Sequence, residues 1–209
     1  MRRDMFVPAA LAIVIALGEV ITTRAAAVAY RVDPARSHAT IHVAKTGVLS
    51  FAAGHSHQVT GPLRSGTVDV DADHPEQSRL RLAFAASDLK VSSAGEPEKD
   101  VPKVQETMDG EQVLDVAHHP EITYQSSAVR LKKRAGNALD LDVTGQLTVR
   151  GVPREVVAPV HVELAGDGLI ATGRFAVKQS AFGIKPISVA GVVNVKDELD
   201  IEFSIAATR

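Results

Sequence analysis

The sequence predicts an all-β fold of antiparallel strands with one short helical insertion. From Tyr30 onward, most segments alternate apolar and polar residues with the period of two that a half-buried strand requires. Turns rich in glycine, proline, asparagine and aspartate separate these segments, and several neighbouring segments have hairpin spacing. Alternation with polar partners favours antiparallel strands over the continuous apolar runs of a parallel sheet.

Residues 1–29 have the layout of a secretory signal peptide. Two arginines follow the initiator methionine, residues 6–17 are apolar apart from one proline, and a cleavage site of small residues ends at Ala29. A membrane span needs roughly 20 unbroken apolar residues, and Glu19 interrupts the run too early. We therefore expect cleavage after Ala29, a single domain over residues 30–209, no permanent membrane anchor, and a periplasmic or secreted location.

Composition excludes several classes of function. The formal net charge is −2, so the chain has no basic field that would attract nucleic acid. The cysteine count is zero, which excludes a disulfide framework, a thiolate metal site and a cysteine nucleophile. Hydrophobic residues make up 45% of the chain, enough for one ordinary core that needs no covalent cross-links.

The first strands are predicted by short alternating runs between glycine- and proline-containing turns. Each run places apolar side chains on one face and polar or charged ones on the other. The apolar positions are Ile41 and Val43, then Val68 and Val70, then Leu80, Leu82 and Phe84, and finally Ile122 and Tyr124.

One charged interval, residues 91–120, breaks the period of two. Asp100 and Pro102 suit the start of a helix, and Val104 and Met108 follow at helical spacing. We predict one short helix here. Its low apolar content suits a flap over one end of the sheet better than a core helix.

The clearest hairpin is predicted for Leu139–Leu164. Apolar residues occupy alternate positions up to Val149, and again from Val160. Between them lies Arg150-Gly151-Val152-Pro153, where glycine tolerates left-handed backbone and proline is expected to stop a central ladder. Two further runs of hairpin spacing complete the chain, with apolar positions Leu169, Ala171, Phe175 and Val177, then Val193, Val195, Leu199, Ile201, Phe203 and Ile205.

About eight strands is the number at which a closed sheet leaves room for filling side chains or for one small ligand. Closure also removes the exposed edges that a long all-β chain would otherwise carry. The same periodicity fits a two-sheet sandwich, so the alternation alone leaves both architectures open.

The succession of these segments resembles the YceI-like family of exported, lipocalin-like proteins associated with polyisoprenoid lipids. No single motif is specific, but their order along nearly the whole mature chain is. The matching pieces are Tyr30-Arg31-Val32-Asp33-Pro34 with Ser37-His38, Val113-Leu114-Asp115-Val116 with His119-Pro120-Glu121-Ile122-Thr123-Tyr124, the segment from Val143 to Val152, and Ser180-Ala181-Phe182-Gly183-Ile184.

This resemblance implies an eight-stranded antiparallel barrel with a helical insertion and a long apolar cavity for an isoprenoid tail or a quinone. No further cofactor is implied. Aromatic residues are only 4% of the chain, so the interior is mainly aliphatic. The large apolar positions are the expected ligand-binding cavity wall: Phe84, Tyr124, Phe175, Phe182 and Phe203.

The segment Phe51–Gln58 departs from the aromatic-rich pattern of many family members and resembles a branch that contains Gly-His-x-His. If this segment is extended, His55 and His57 share one face near the barrel mouth, where we expect them to orient a polar head group. The same pair would supply two imidazole ligands for a metal, with His118 and His119 as the remaining candidates. The alternative is a loop of solvated histidines without any metal.

We therefore expect a non-catalytic binding protein whose partner is an isoprenoid-type lipid. Gly54-His55-Ser56-His57-Gln58 approaches a hydrolase nucleophile motif but lacks its closing glycine and the helix that should follow. Two alternatives remain: a metal or haem-associated accessory protein centred on His55 and His57, and a structural or stress-related periplasmic protein with a filled barrel. The sequence leaves the oligomeric state open, with a homodimer as one option.

Overall fold

The computed structural model describes residues 27–46, 57–94, 97–189 and 193–209. These residues form one sheet of 12 strands and a single α-helix, which confirms the all-β prediction. The strands are β1 (Val28–Val32), β2 (His38–Thr46), β3 (His57–Pro62), β4 (Ser65–Val70), β5 (Arg79–Ala85), β6 (Lys90–Val91), β7 (Glu121–Ala135), β8 (Ala138–Val149), β9 (Val152–Ala165), β10 (Gly168–Lys178), β11 (Ser188–Val189) and β12 (Val193–Thr208). The helix, α1, is Val101–Asp109.

The sheet closes into an antiparallel barrel, which decides between the barrel and the sandwich. Eight strands form the ring in the order β1-β4-β5-β7-β8-β9-β10-β12, and the ring closes where β12 pairs with β1. The strands β2, β3 and β6 extend the wall, because β2 pairs with β12 and with β3, and β3 pairs with β6. All of these pairings are antiparallel.

Short breaks divide what would otherwise be long strands. At the first break, Asp33 accepts a hydrogen bond from the backbone of Ala35, and a single 3-10 turn separates β1 from β2. Ser37, which is 2% exposed, ties this break to β12. Its hydroxyl donates to the carbonyl of Ala206 at 3.1 Å and accepts from the Ala206 N–H at 3.0 Å. These two hydrogen bonds between Ser37 and Ala206 give the Asp-Pro and Ser-His pieces of the sequence a structural role.

Replacing Ser37 by alanine should lower the free energy of unfolding by about 1–3 kcal/mol, because the buried N–H of Ala206 would lose its acceptor. The carbonyl of Ala206 keeps a second donor, the backbone N–H of Asp33 at 2.8 Å. The measurement is urea denaturation of the mature domain. Ser127→Ala, which removes an exposed hydroxyl bonded to Thr144, is the matched control and should change stability by less than about 0.5 kcal/mol. Equal effects of the two substitutions would contradict a stabilising role for the Ser37 hydrogen bonds.

The predicted central hairpin is present, and its turn is Arg150-Gly151, with φ angles of 51° and 70°. A two-residue turn makes its flanking residues a hydrogen-bonded pair, so the even-numbered residues of β9 bond to β8 and the odd-numbered ones face β10. Pro153 therefore lies inside β9 rather than ending the ladder, since its missing N–H points away from β8. Pro159 has the same orientation, and the ladder between β9 and β10 ends beside it.

The predicted helix lies at one end of the barrel. α1 begins one residue after Asp100, but the Asp100 side chain makes no capping hydrogen bond, contrary to its expected role. Val104 and Met108 pack against a cluster that contains Val59, Leu89, Val91 and Leu114. The helix and the following residues 110–119 thus cover this end of the barrel as a flap, as its low apolar content predicts. No helix of the described residues is long and apolar enough to cross a membrane.

The opposite end of the barrel is packed with side chains. Leu139, Leu169 and Ala207 are 1–3% exposed there and contact one another, together with Tyr30. The guanidinium of Arg209 lies 5.7 Å from the centre of the Tyr30 ring and covers it from outside. The barrel therefore has one end closed by its core and one end covered by α1.

Candidate functional site

A cavity of about 690 Å³ runs through the interior of the barrel. Its wall includes residues from the packed end, such as Leu139 and Leu169, and residues from α1, such as Val104 and Met108. It therefore extends along most of the barrel axis. Its volume is within the range of about 300–1,000 Å³ that is usual for small-molecule sites.

The wall of the cavity is mainly aliphatic, because the inward-facing positions of the alternating strands are valine, leucine, isoleucine and alanine. All five large residues expected at the wall from the sequence line the cavity: Phe84, Tyr124, Phe175, Phe182 and Phe203. Phe182 is 3% exposed and packs with Leu147 and Ile184. The other four are only partly buried although they face inward, so their remaining surface borders the cavity. Their contact with a ligand stays a prediction.

Tyr124 lies flat against the wall because glycine occupies position 145. A Cβ atom at Gly145 would lie 2.5 Å from Cζ of Tyr124 and 2.6 Å from the carbonyl oxygen of Gln125. The hydroxyl of Tyr124 donates a hydrogen bond to the carbonyl of Val143 at 3.1 Å. Burial raises the pKa of Tyr124 to about 12, so this side chain is neutral throughout the physiological range.

Phe203 is accommodated in the same way by Gly173, its partner in the β10–β12 ladder. A Cβ atom at Gly173 would lie 2.5 Å from the ring of Phe203 and 2.3 Å from the carbonyl oxygen of Pro159. Phe175 meets Phe203 edge to face, with 6.3 Å between the ring centres. Two glycines in strand interiors thus allow two aromatic rings to line the wall without filling the cavity.

Few polar residues reach the cavity. Arg79 and Ser78 do so near the packed end, and Asp100, Lys103 and Thr107 do so from α1 and the residue before it. Arg79 and Lys103 are exposed, which places their charges at the rims. Gln179, which is 6% exposed, is the polar side chain set most deeply in the wall.

The structure describes only part of the predicted histidine site. His55 lies outside the described residues, as does most of the Gly-His-x-His segment. The backbone of His57 pairs with that of Val43, a residue of the cavity wall at the α1 end. Among the described residues, no three His, Asp or Glu side chains are grouped to hold a metal ion. Head-group binding by His55 and His57 stays a prediction.

His118 and His119 belong instead to a small ionic cluster around Asp115, in the flap. Nδ1 of His118 lies 2.8 Å from Oδ1 of Asp115, and Nε2 of His119 lies 3.9 Å from Oδ2. Gly151 lies beside the His119 ring, and the guanidinium of Arg150 donates to the carbonyl of Glu111 at 3.0 Å. These contacts fasten residues 110–119 to the β8–β9 turn.

The hydrogen bond between His118 and Asp115 raises the pKa of His118 above its ordinary value and lowers that of Asp115. The stabilisation from His118 is complete below pH 6.5 and is lost as pH rises through its raised pKa. The stabilisation from Asp115 is complete above pH 3.8 and is lost as pH falls through its lowered pKa. The pair therefore stabilises the turn of residues 115–118 within the flap most strongly between these two values.

Replacing Asp115 by asparagine should lower the pKa of His118 toward 6.5, as read from its imidazole protons by NMR titration. His161 provides an internal control, because hydrogen bonds to Asp140 and Glu163 raise its pKa and the substitution does not touch them. An unchanged pKa for His118 in the variant would contradict this contact.

Sequence reasoning missed the roles of Gly145, Gly173 and Gln179. The glycines did give a signal, because an isolated glycine within a strand often marks a close approach of other atoms. Gln179 gave none, since it lies in a 3-10 turn where no period of two or 3.6 applies.

A model of the YceI-like domain matches residues 30–207 of this chain. Among solved structures, the chain resembles Burkholderia cenocepacia BcnA, with a TM-score of 0.62 and 22% identity, covering 85% of this chain and 99% of that one. It also resembles a polyisoprenoid binding domain from Saccharophagus degradans implicated in plant cell wall breakdown, with a TM-score of 0.57 and 12% identity, covering 86% and 97%. The chain also resembles a Campylobacter jejuni YceI protein, with a TM-score of 0.51 and 13% identity, covering 71% of this chain and 84% of that one. No curated protein matches the chain.

Proposed function

The chain belongs to the YceI-like domain family, as its motifs indicated, and we propose that it binds one apolar isoprenoid-type lipid or quinone within the barrel without transforming it. The observation that carries this proposal is the cavity of about 690 Å³ with its almost wholly apolar wall. The description of a neighbouring structure as a polyisoprenoid binding domain supports the choice of ligand class.

The shape of the cavity suits a long apolar tail. An isoprenoid tail offers only apolar surface, so its affinity comes from area removed from water, about 25 cal/mol per Å² before the cost of ordering it. A cavity lined by the alternating faces of the strands surrounds such a tail on all sides. The flap, residues 101–119, covers one end of the cavity, and the opposite end is packed with side chains. The tail would therefore point toward the packed end, and the head group would lie beneath α1.

The polar groups near the interior support binding rather than catalysis. The hydroxyl of Tyr124 is bonded to a backbone carbonyl and has a pKa of about 12, which makes it neither a general base nor a nucleophile at neutral pH. The charged groups of Lys103 and Arg79 are exposed at the rims. Among the residues that the structure describes, a ligand held in the apolar middle would meet no group suited to breaking its bonds.

The test is lipid mass spectrometry of an organic extract, beside elemental analysis of the same purified protein. We expect an isoprenoid-type lipid or quinone near one molecule per chain, and no stoichiometric metal. A stoichiometric metal without lipid would favour the accessory protein centred on His55 and His57. An extract without lipid and a protein without metal, together with failure to bind added isoprenoids, would favour a barrel that is purely structural.

The proposal includes export, on the strength of the signal-peptide layout of residues 1–29. Delivery of a water-insoluble lipid through an aqueous compartment is a task for a carrier whose cavity shields the tail. We therefore propose that the protein works in the periplasm or outside the cell.

Protein recovered from the periplasm should begin at Tyr30 or within a few residues of it. β1 begins at Val28, whose backbone pairs with Val70, so cleavage after Ala29 would trim this strand by its first two residues. Tyr30, which is 4% exposed in the packed end, would be retained. N-terminal sequencing decides the matter, and retention of Met1 on the recovered protein would contradict export with cleavage.

A further inference from the structure

Gln179 places a carboxamide inside a wall that is otherwise almost entirely apolar. It begins the 3-10 turn Gln179–Phe182 that follows β10, and it borders the cavity while only 6% exposed. Its Nε2 donates a hydrogen bond to the carbonyl of Lys196 at 2.8 Å. The side chain is therefore fixed in one orientation.

That bond determines how the carboxamide is oriented. A backbone carbonyl accepts only from a donor, so the amide nitrogen must face Lys196 and the oxygen must point away from it. No described group donates a hydrogen bond to this oxygen. The oxygen is also not completely shielded by the surrounding atoms. Among the described residues, Oε1 of Gln179 is therefore an acceptor without a donor, in a side chain that borders the cavity.

The hydroxyl of Tyr124 is a second acceptor in the wall. It donates its single proton to the carbonyl of Val143 at 3.1 Å and retains its lone pairs. Thr107, Lys103 and Arg79 are exposed and stand at the rims, and Ser78 lies near the packed end. Between the rims, the described wall therefore offers the acceptors of Gln179 and Tyr124.

We propose that the ligand carries a hydrogen-bond donor, a hydroxyl or an N–H group, which Oε1 of Gln179 receives. This inference rests on the proposed function and narrows its ligand class to isoprenoid alcohols, hydroquinones and similar donors. An oxidised quinone, an ether or a bare hydrocarbon would leave this buried acceptor without a partner once water is expelled, which reduces affinity.

The experiment compares farnesol with farnesyl methyl ether, each displacing the apolar dye Nile red from the mature protein. The two probes share one tail and differ in the hydroxyl proton. Wild-type protein should bind the alcohol about three- to tenfold more tightly, the ratio that one neutral hydrogen bond supplies. Gln179→Met keeps a similar side-chain length without an acceptor, and should bring the ratio near one, because the alcohol loses its hydrogen bond and the ether no longer buries an unpaired acceptor. Gln146→Met, the same replacement at an exposed position, should keep the wild-type ratio.

Equal affinities of the two probes in wild type, or a ratio that survives Gln179→Met, would overturn the inference while leaving the proposed function in place. Failure of both probes and of Nile red to bind would instead overturn the proposed function, and the inference with it. If Gln179→Met does not fold, because the carbonyl of Lys196 has lost its donor, the wild-type ratio alone decides.

Discussion

Ala171→Phe should abolish most of the affinity for an isoprenoid ligand while leaving the barrel intact. Ala171 lies on β10 between Val162 and Ile205 in the ladders, and its side chain borders the cavity. A phenyl ring there would occupy space that the ligand needs. Displacing a portion of the tail the size of one leucine side chain costs about 1.5–3 kcal/mol, or roughly 10- to 150-fold in Kd.

The ring of Ala171→Phe would enter empty space rather than a packed core, so it should cost less than the about 1–3 kcal/mol usual for overpacking. The matched control is Ile170→Phe, which adds a ring at the adjacent, outward-facing position, where Ile170 is 42% exposed. Its ligand affinity should equal that of wild type. Titration of a defined isoprenoid alcohol into wild type and the two variants measures the three affinities. Unchanged affinity in Ala171→Phe would show that the ligand does not bind in the cavity.

Leu139→Ala should have the opposite signature, with a large loss of stability and retained binding. Leu139 is 1% exposed and lies at the centre of the packed end, against Leu169 and Ala207. Truncating such a leucine costs about 2–5 kcal/mol, through lost burial and the space left behind. Since Leu139 also borders the cavity, the vacated volume would enlarge it rather than block it.

Urea denaturation measures the loss in Leu139→Ala, and Leu131→Ala is its control. Leu131 lies on β7 with 38% exposure, so its truncation should change the free energy of unfolding by less than about 0.5 kcal/mol. Comparable losses in the two variants would show that the packed end does not carry the stability assigned to it.

The sequence predicted those elements whose local pattern persists over many residues. The strand β8 alternates throughout apart from Gly145, β9 alternates again from Val160, and α1 combines a proline in its first turn with apolar residues at helical spacing. The barrel itself is not a local property. The alternation fitted a sandwich equally well, and only the pairing of β12 with β1 decides between them.

Features that depend on single residues could not be predicted in the same way. In β7, Tyr124 and Val129 both face the interior although their numbers differ in parity, because an irregularity between Ser126 and Ala128 shifts the register. One extra residue exchanges the two faces of a strand, and no periodic pattern signals where it will occur. The acceptor of Gln179 likewise depends on a bond to Lys196, 17 residues away in the chain.

Native mass spectrometry of the purified protein tests most directly whether the barrel holds an apolar ligand. We expect a species heavier than the mature polypeptide by the mass of one lipid, present in wild type and in Ile170→Phe but depleted in Ala171→Phe. A wild-type protein that has only the mass of its polypeptide, and stays at that mass after incubation with an isoprenoid alcohol, would contradict this expectation.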